Sequence, residues 1–157
     1  LDAYVWVKNS TQKYDVIIID FPDPSNYSLG KLYSLQFYKE LKNLTTQDTR
    51  IVVQTTSPYF APKSFWCIQK TLNQVFPFVQ AYHTYVPSFG EWGYCMASND
   101  SINNHVMRKL PGLRFYDYNF SQMSYFSKDM MAKEVEVNRL DNQILVRYFD
   151  EEWGKVQ

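Results

Sequence analysis

The stretch VIIIDFPDPS, from Val16 to Ser25, constrains the fold more than any other part of this chain. A continuous β-branched run of this kind predicts a strand buried on both faces, as in a parallel sheet. Pro22 and Pro24 forbid its continuation and stiffen the turn that follows. Asp20 then stands at the carboxyl end of the strand, where open α/β sheets keep their ligands. Asp23, three residues on, can face the same crevice. Spacing alone equally allows Asp20 to cap a helix and Asp23 to be a solvated turn residue.

The remaining chain extends this α/β reading. In SLGKLYSLQFYKELKNL, Leu35, Tyr38 and Leu41, with Phe37 and Leu44, form a helical stripe. TTQDT is expected to turn, and RIVVQTTS to form a second buried strand. Pro62 opens a helix in which Phe65, Ile68, Leu72 and Val75 share a face. Strand, helix, strand, helix predicts parallel strands joined by right-handed crossovers. VQAYHTYVPS and WGYCMAS, separated by a turn at Gly90, predict an antiparallel hairpin. The pattern breaks from Asn99 to Asn119. A short helix is expected near Met123–Met130, and a last one after Asp141, its expected cap, with Ile144, Leu145, Tyr148 and Phe149 as its stripe.

Composition excludes several classes. Sixteen basic and sixteen acidic side chains cancel among 157 residues, so nothing marks a nucleic-acid partner. Cys67 and Cys95 are too few for a disulfide framework or a zinc site, and read as buried thiols in a reducing compartment. The five glycines are dispersed, so there is no phosphate cradle. His83 and His105 lack metal-ligand spacing, and His83 is expected to be a packed or hydrogen-bonded strand residue. Polar groups at predicted strand ends remain: Asp20, Asp23, Gln54 after IVV, and the PSFGEWG turn. Gathered at one sheet edge, they suit a small-molecule site.

YDVIIIDFPDP, FYKELKNL, RIVVQTTSPYF and TLNQVFPFVQAYHTYVPSFGEWGY follow one another as in the spermidine synthase family, the polyamine aminopropyltransferases. The resemblance runs from Asp2 to about Ser98 and rests on the D-x-x-D-P turn, the strand-end Gln and the P-x-x-G turn in order. The tail resembles the bacterial branch that carries transmembrane helices upstream. This implies the second half of a Rossmann-like, class I methyltransferase-type sheet, with parallel strands ending in an antiparallel hairpin and a helical tail. Residues 1–98 would be the carboxyl-terminal half of the catalytic domain. Residues 99–157 would be an extension packed on that domain or on a partner.

The resemblance also implies chemistry. The family moves an aminopropyl group from decarboxylated S-adenosylmethionine, a co-substrate rather than a tightly bound cofactor, to a diamine such as putrescine. An alkylammonium titrates near ~10, so attack needs a base, and Asp20 matches that position. Asp23 and Gln54 match the amine side, and Asp2 and Ala3 match the pair that contacts the nucleoside. Two departures stand out: Phe89 replaces a substrate-orienting Tyr, and Tyr27 replaces a Pro of the nucleoside loop. The Gly-rich motif and the ribose-binding acid of the family belong ahead of Asp2. The expectation is therefore an inactive fragment of a longer protein, cytoplasmic itself, with the parent anchored in the inner membrane, and self-associating as a homodimer. Two alternatives stay open: a class I methyltransferase, and a non-catalytic synthase-like binding module.

Overall fold

Strand β1 (Tyr14–Ile19) lies parallel to β2 (Thr45–Gln54), with Ile17 beside Ile51 and Ile19 beside Val53. The computed structural model describes residues 2–102, 111–112, 120–131 and 134–154. Strands β3 (Phe78–Val86) and β4 (Gly90–Ser98) form the expected hairpin, closed at Gly90 with φ of 75°, which glycine adopts freely. Antiparallel pairing of β4 with β2 gives the sheet order β1-β2-β4-β3. The chain thus forms an α/β sheet ending in a hairpin.

Alternation along the strands sends Ile19, Ile51, Val53, Cys95 and Ala97 into one core. Helix α1 (Ala3–Asn9), the short α2 (Tyr27–Gly30), α3 (Leu35–Lys42) and α4 (Pro62–Asn73) surround it. Phe37, Tyr38 and Leu41 come from α3, and Phe65, Ile68 and Leu72 from α4, all fully buried or nearly so. Val75 lies beyond the end of α4 and is partly buried. Cys67 and Cys95 are buried free thiols, and burial pushes Cys67 up to about 12.

Three expectations need correction. Strand β1 is not buried on both faces: Val16 is 61% exposed and Ile18 75%. These two alternate away from the helices, onto a sheet face that no described helix covers, and β1 is an edge strand. TTQDT is not a simple turn but part of β2. Tyr14 pairs with Thr45 and Val16 with Arg50, so β2 bulges between them. The Thr49 hydroxyl holds the bulge, donating to the Tyr14 carbonyl at 2.6 Å and accepting from Thr46 N at 2.7 Å. Finally, Asp141 does not cap the last helix, α6 (Ile144–Trp153). Asp141 lies two residues ahead of the N-cap position, Gln143, and the turn between needs a donor as well as an acceptor, whereas a carboxylate only accepts. Asn142 supplies them: its Oδ1 accepts from Arg139 N and Ile144 N, and its Nδ2 donates to the Val137 carbonyl.

Helix α5 (Phe120–Met123) and a 3₁₀ turn at Lys128–Met130 stand where a short helix is expected. Much of Asn99–Asn119 lies outside the described residues. Among those described, no helix is long and apolar enough to cross a membrane. Buried polar groups tie the tail to the sheet's helices. Asn138, fully buried, donates through Nδ2 to the Gly30 carbonyl and accepts at Oδ1 from Leu145 N. Its backbone donates to the Thr71 hydroxyl and accepts from Leu35 N. Glu152 of α6 then caps α4 from outside, where Ala61 offers no capping side chain. Its carboxylate accepts from Lys63 N at 2.7 Å, Ser64 N at 3.0 Å and Ser64 Oγ at 2.8 Å. A negative charge at a helix N-terminus is favourable twice over, through its hydrogen bonds and through the dipole.

Glu152→Ala leaves those donors without their acceptor and should cost about 1–3 kcal/mol, read by urea denaturation. A loss below about 0.5 kcal/mol, the scale of an ordinary surface change, would contradict the capping role.

Candidate active site

Parallel pairing brings the carboxyl ends of β1 and β2 to one edge of the sheet, and both end in polar residues. Asp20 follows the last residue of β1 and is exposed; Asp23 lies in the proline turn beyond it and is half-buried. Gln54 is the last residue of β2 and is buried. Its Nε2 donates to Asp23 Oδ1 at 3.4 Å. Tyr33, fully buried in a 3₁₀ turn (Lys31–Tyr33), sends its hydroxyl to the same place. That hydroxyl lies 3.0 Å from the Phe21 carbonyl, 3.1 Å from the Pro22 carbonyl and 3.4 Å from Gln54 Oε1. One phenol thus holds the backbone of the proline turn, and through Gln54 the Asp23 carboxylate.

Electrostatics follow from this packing. Burial raises Asp23 above the ordinary carboxylate range, and the hydrogen bond from Gln54 opposes the rise. Burial also raises Tyr33, with the charges of Asp23 and Asp20 adding to it, so the phenol stays a neutral donor. Across the sheet edge, Tyr94 of β4 pairs with Gln54 and is raised by burial and by Asp20. It stacks on Tyr82 at 5.4 Å between ring centroids, and burial pushes Tyr82 up to about 12. The ion pairs among the described residues join Lys31 to Asp2, Lys63 to Glu151, and His83 to Glu91. Neither Asp20 nor Asp23 takes part in one. Two carboxylates without an internal cation, flanked by rings, form a site suited to an external cation.

The other sequence-derived candidates are placed as follows. Asp2 caps α1, accepting from Tyr4 N at 2.8 Å and Val5 N at 3.4 Å, and pairs with Lys31 Nζ at 2.6 Å. The hydrogen bond from Lys31 lowers its pKa most. Lys31 shares its turn with Tyr33, so Asp2 and Ala3 stand toward the same end of the sheet as Asp20. Tyr27 starts α2 and is 64% exposed, while Phe89, 57% exposed, packs at the hairpin tip against Trp92. Neither hydrogen-bonds to the two acids among the described residues. The hairpin still reaches this end of the sheet, because the Ser57 hydroxyl donates to the Glu91 carbonyl at 2.6 Å. His83 is hydrogen-bonded, as expected, to Glu91 Oε2 at 2.7 Å and the Tyr125 carbonyl at 2.6 Å. Tyr33 and Tyr94 escaped sequence reading. Tyr33 sits in an apolar stretch and Tyr94 in a β pattern, so spacing marked neither of them.

Fold and site together define an α/β domain with two carboxylates and a buried glutamine at its strand ends. The spermine/spermidine synthase domain profile matches residues 1–109, and the chain belongs to that family. It is 43% identical over 157 residues to a polyamine aminopropyltransferase of Leptospira interrogans, covering 99% of this chain and 31% of that protein. Identity to polyamine aminopropyltransferase 2 of Ralstonia nicotianae is 45% over 158 residues, covering 99% of this chain and 31% of that protein. The chain thus spans about a third of these curated relatives. A spermidine synthase solved in complex with the transition-state analogue AdoDATO shares the fold. Its TM-score is 0.58 at 20% identity, and the match covers 99% of this chain and 50% of that one. The Thermotoga maritima spermidine synthase matches with a TM-score of 0.54 at 18% identity, covering 98% and 47%.

Since burial raises the folded-state pKa of Asp23, its contribution to stability is intact below the unfolded value near ~3.9. It falls as pH rises from there through the folded value. Asp23→Asn should therefore be more stable than wild type at pH 7, with the gain disappearing toward pH 3. Thermal melts across that range test this; a pH-independent difference would contradict it.

Proposed function

We propose that this chain is the amine-binding half of a polyamine aminopropyltransferase, acting on decarboxylated S-adenosylmethionine and a diamine such as putrescine. The observation that carries the reading is the pair of carboxylates beyond β1, Asp23 bonded by Gln54 and neither acid in an internal ion pair among the described residues. A diamine supplies the missing positive charges. Asp23 accepts a charge-assisted hydrogen bond from one ammonium. Asp20, exposed at the crevice, takes the proton of the attacking amine. The nitrogen lone pair then forms a bond to the carbon beside sulfur. The carbon–sulfur bond breaks, its electron pair stays on sulfur, and spermidine and methylthioadenosine result.

Gln54 and Phe89 belong to the amine side in this reading, and Asp2, Ala3 and Tyr27 to the nucleoside side. No tightly bound cofactor is required, because the sulfonium co-substrate carries its own leaving group. The buried thiols suit a cytoplasmic segment, with any membrane helices upstream of it. Zero net charge gives no overall electrostatic attraction for nucleic acid. The whole catalytic unit would include the Gly-rich motif and ribose-binding acid ahead of this segment, and the segment by itself would be inactive.

In the full-length protein, Asp20→Asn should lower turnover by ~10²–10⁴-fold, the usual cost of losing a positioned base, while nucleoside binding persists. Asp23→Asn should chiefly raise KM for the diamine. Turnover of Asp20→Asn within twofold of wild type would sink the reading.

Among the described residues of this 157-residue chain, β1 has an open edge, with Val16 and Ile18 exposed beside it. Unpaired strand edges of apolar residues template pairing with another copy. Sedimentation at micromolar concentration should give a dimer. A monomer whose Val16–Ile19 amides are protected from hydrogen exchange would contradict this.

A further inference from the structure

A row of four residues crosses the sheet at the end where β1 and β2 finish. Ile19 pairs with Val53, so Asp20 and Gln54, the next residue of each chain segment, stand side by side. Gln54 pairs with Tyr94, and Tyr94 pairs with Tyr82. Directly paired residues send their side chains to one face of a sheet, so Gln54, Tyr94 and Tyr82 share a face. It is the face turned away from the helices, because Val53 and Cys95, their neighbours along the strands, lie in the core.

The row is chemically one-sided. Asp20 is exposed at one end, and Gln54 beside it donates to Asp23. At the other end the rings of Tyr94 and Tyr82, both only partly buried, stack with 5.4 Å between centroids and 20° between planes. Trp92 and Thr84 form the next pair along the same face, and Phe89 packs on Trp92 at 5.0 Å. Rings therefore continue from the acids toward the hairpin tip.

Length decides what such a row can hold. Neighbouring strands lie ~4.8 Å apart, so in the order β1-β2-β4-β3 the row runs about 14 Å from Asp20 to Tyr82. Putrescine, with five bonds of ~1.5 Å in a zigzag, separates its nitrogens by only about 6 Å. It spans the two acids and stops short of the rings. A further aminopropyl arm extends the amine to about 11 Å. Its methylenes then lie on ring surface, and its last ammonium meets ring faces, which attract cations.

We propose that stacked Tyr94 and Tyr82 form a third subsite of the amine crevice, which takes the distal ammonium of a linear triamine and makes the site prefer it to a diamine. The ligand class rests on the amine-transfer reading, whereas the row follows from strand pairing alone. Chemistry at Asp20 is the same for either amine, so a triamine gives a tetraamine and methylthioadenosine.

Calorimetric titration of the full-length protein, with methylthioadenosine bound, compares putrescine with spermidine and requires no turnover. Spermidine should bind about tenfold more tightly, the scale of one cation–ring contact. Tyr82→Leu should abolish that preference, and Tyr82→Phe, which keeps the ring, should retain it. Equal affinities in the wild-type protein, a comparison that needs no variant, would overturn the proposal. So would a preference that survives Tyr82→Leu. Failure of Asp20→Asn to lower turnover would overturn the transfer reading and leave this binding preference standing.

Discussion

The parallel pairing of β1 with β2 is the constraint on which the site depends. With Ile19 held beside Val53, the two strands finish at the same edge, with Asp20 just beyond one and Gln54 closing the other. An antiparallel pairing would have sent Asp20 and Gln54 to opposite ends of the sheet. Burial of Ile17, Ile19, Ile51 and Val53 against the helices fixes this register, because a slip of one residue would turn the apolar set outward. The hydrophobic core therefore sets the geometry of the polar site, and Tyr33 belongs to both.

Buried polar groups perform the complementary task of fixing the connections. Tyr33 holds the proline turn, Asn138 joins α2, α4 and α6, and Glu152 closes the start of α4. Each is close to fully satisfied, which is the condition for such groups to specify a structure rather than weaken it. The loop between β2 and α4 is thus held at both ends: by Gly93 near Thr56, and by Glu152 near Ser64. Rigid support on both sides suits a site whose two carboxylates must keep a fixed spacing.

Much of this was legible in the sequence, and the exceptions share a cause. The stripes of α3, α4 and α6, the hairpin at Gly90 and the strand-end placement of Asp20, Asp23 and Gln54 follow from local periodicity and turn chemistry. The exposure of Val16 and Ile18 did not, because a β-branched run says nothing about whether a second layer covers it. The bulge at Thr45–Thr49 depends on a hydroxyl reaching across to Tyr14, a contact between residues 35 apart in sequence. The choice of Asn142 over Asp141 turns on one missing donor. Glu152 capping a helix 88 residues away, and Thr56 held left-handed by Gly93, are likewise tertiary facts. Composition and spacing report local preference, and these features arise where distant segments override it.

In the proposed function, Asp20 and Asp23 together receive an external dication at the end of β1. A structure of the full-length protein with putrescine and methylthioadenosine bound tests it most directly. The expected result is one ammonium within hydrogen-bonding distance of Asp23 and the reacting nitrogen beside Asp20, with Gln54 still bonded to Asp23. Putrescine bound away from both carboxylates, or either acid paired with a lysine or arginine of the protein itself, would contradict it.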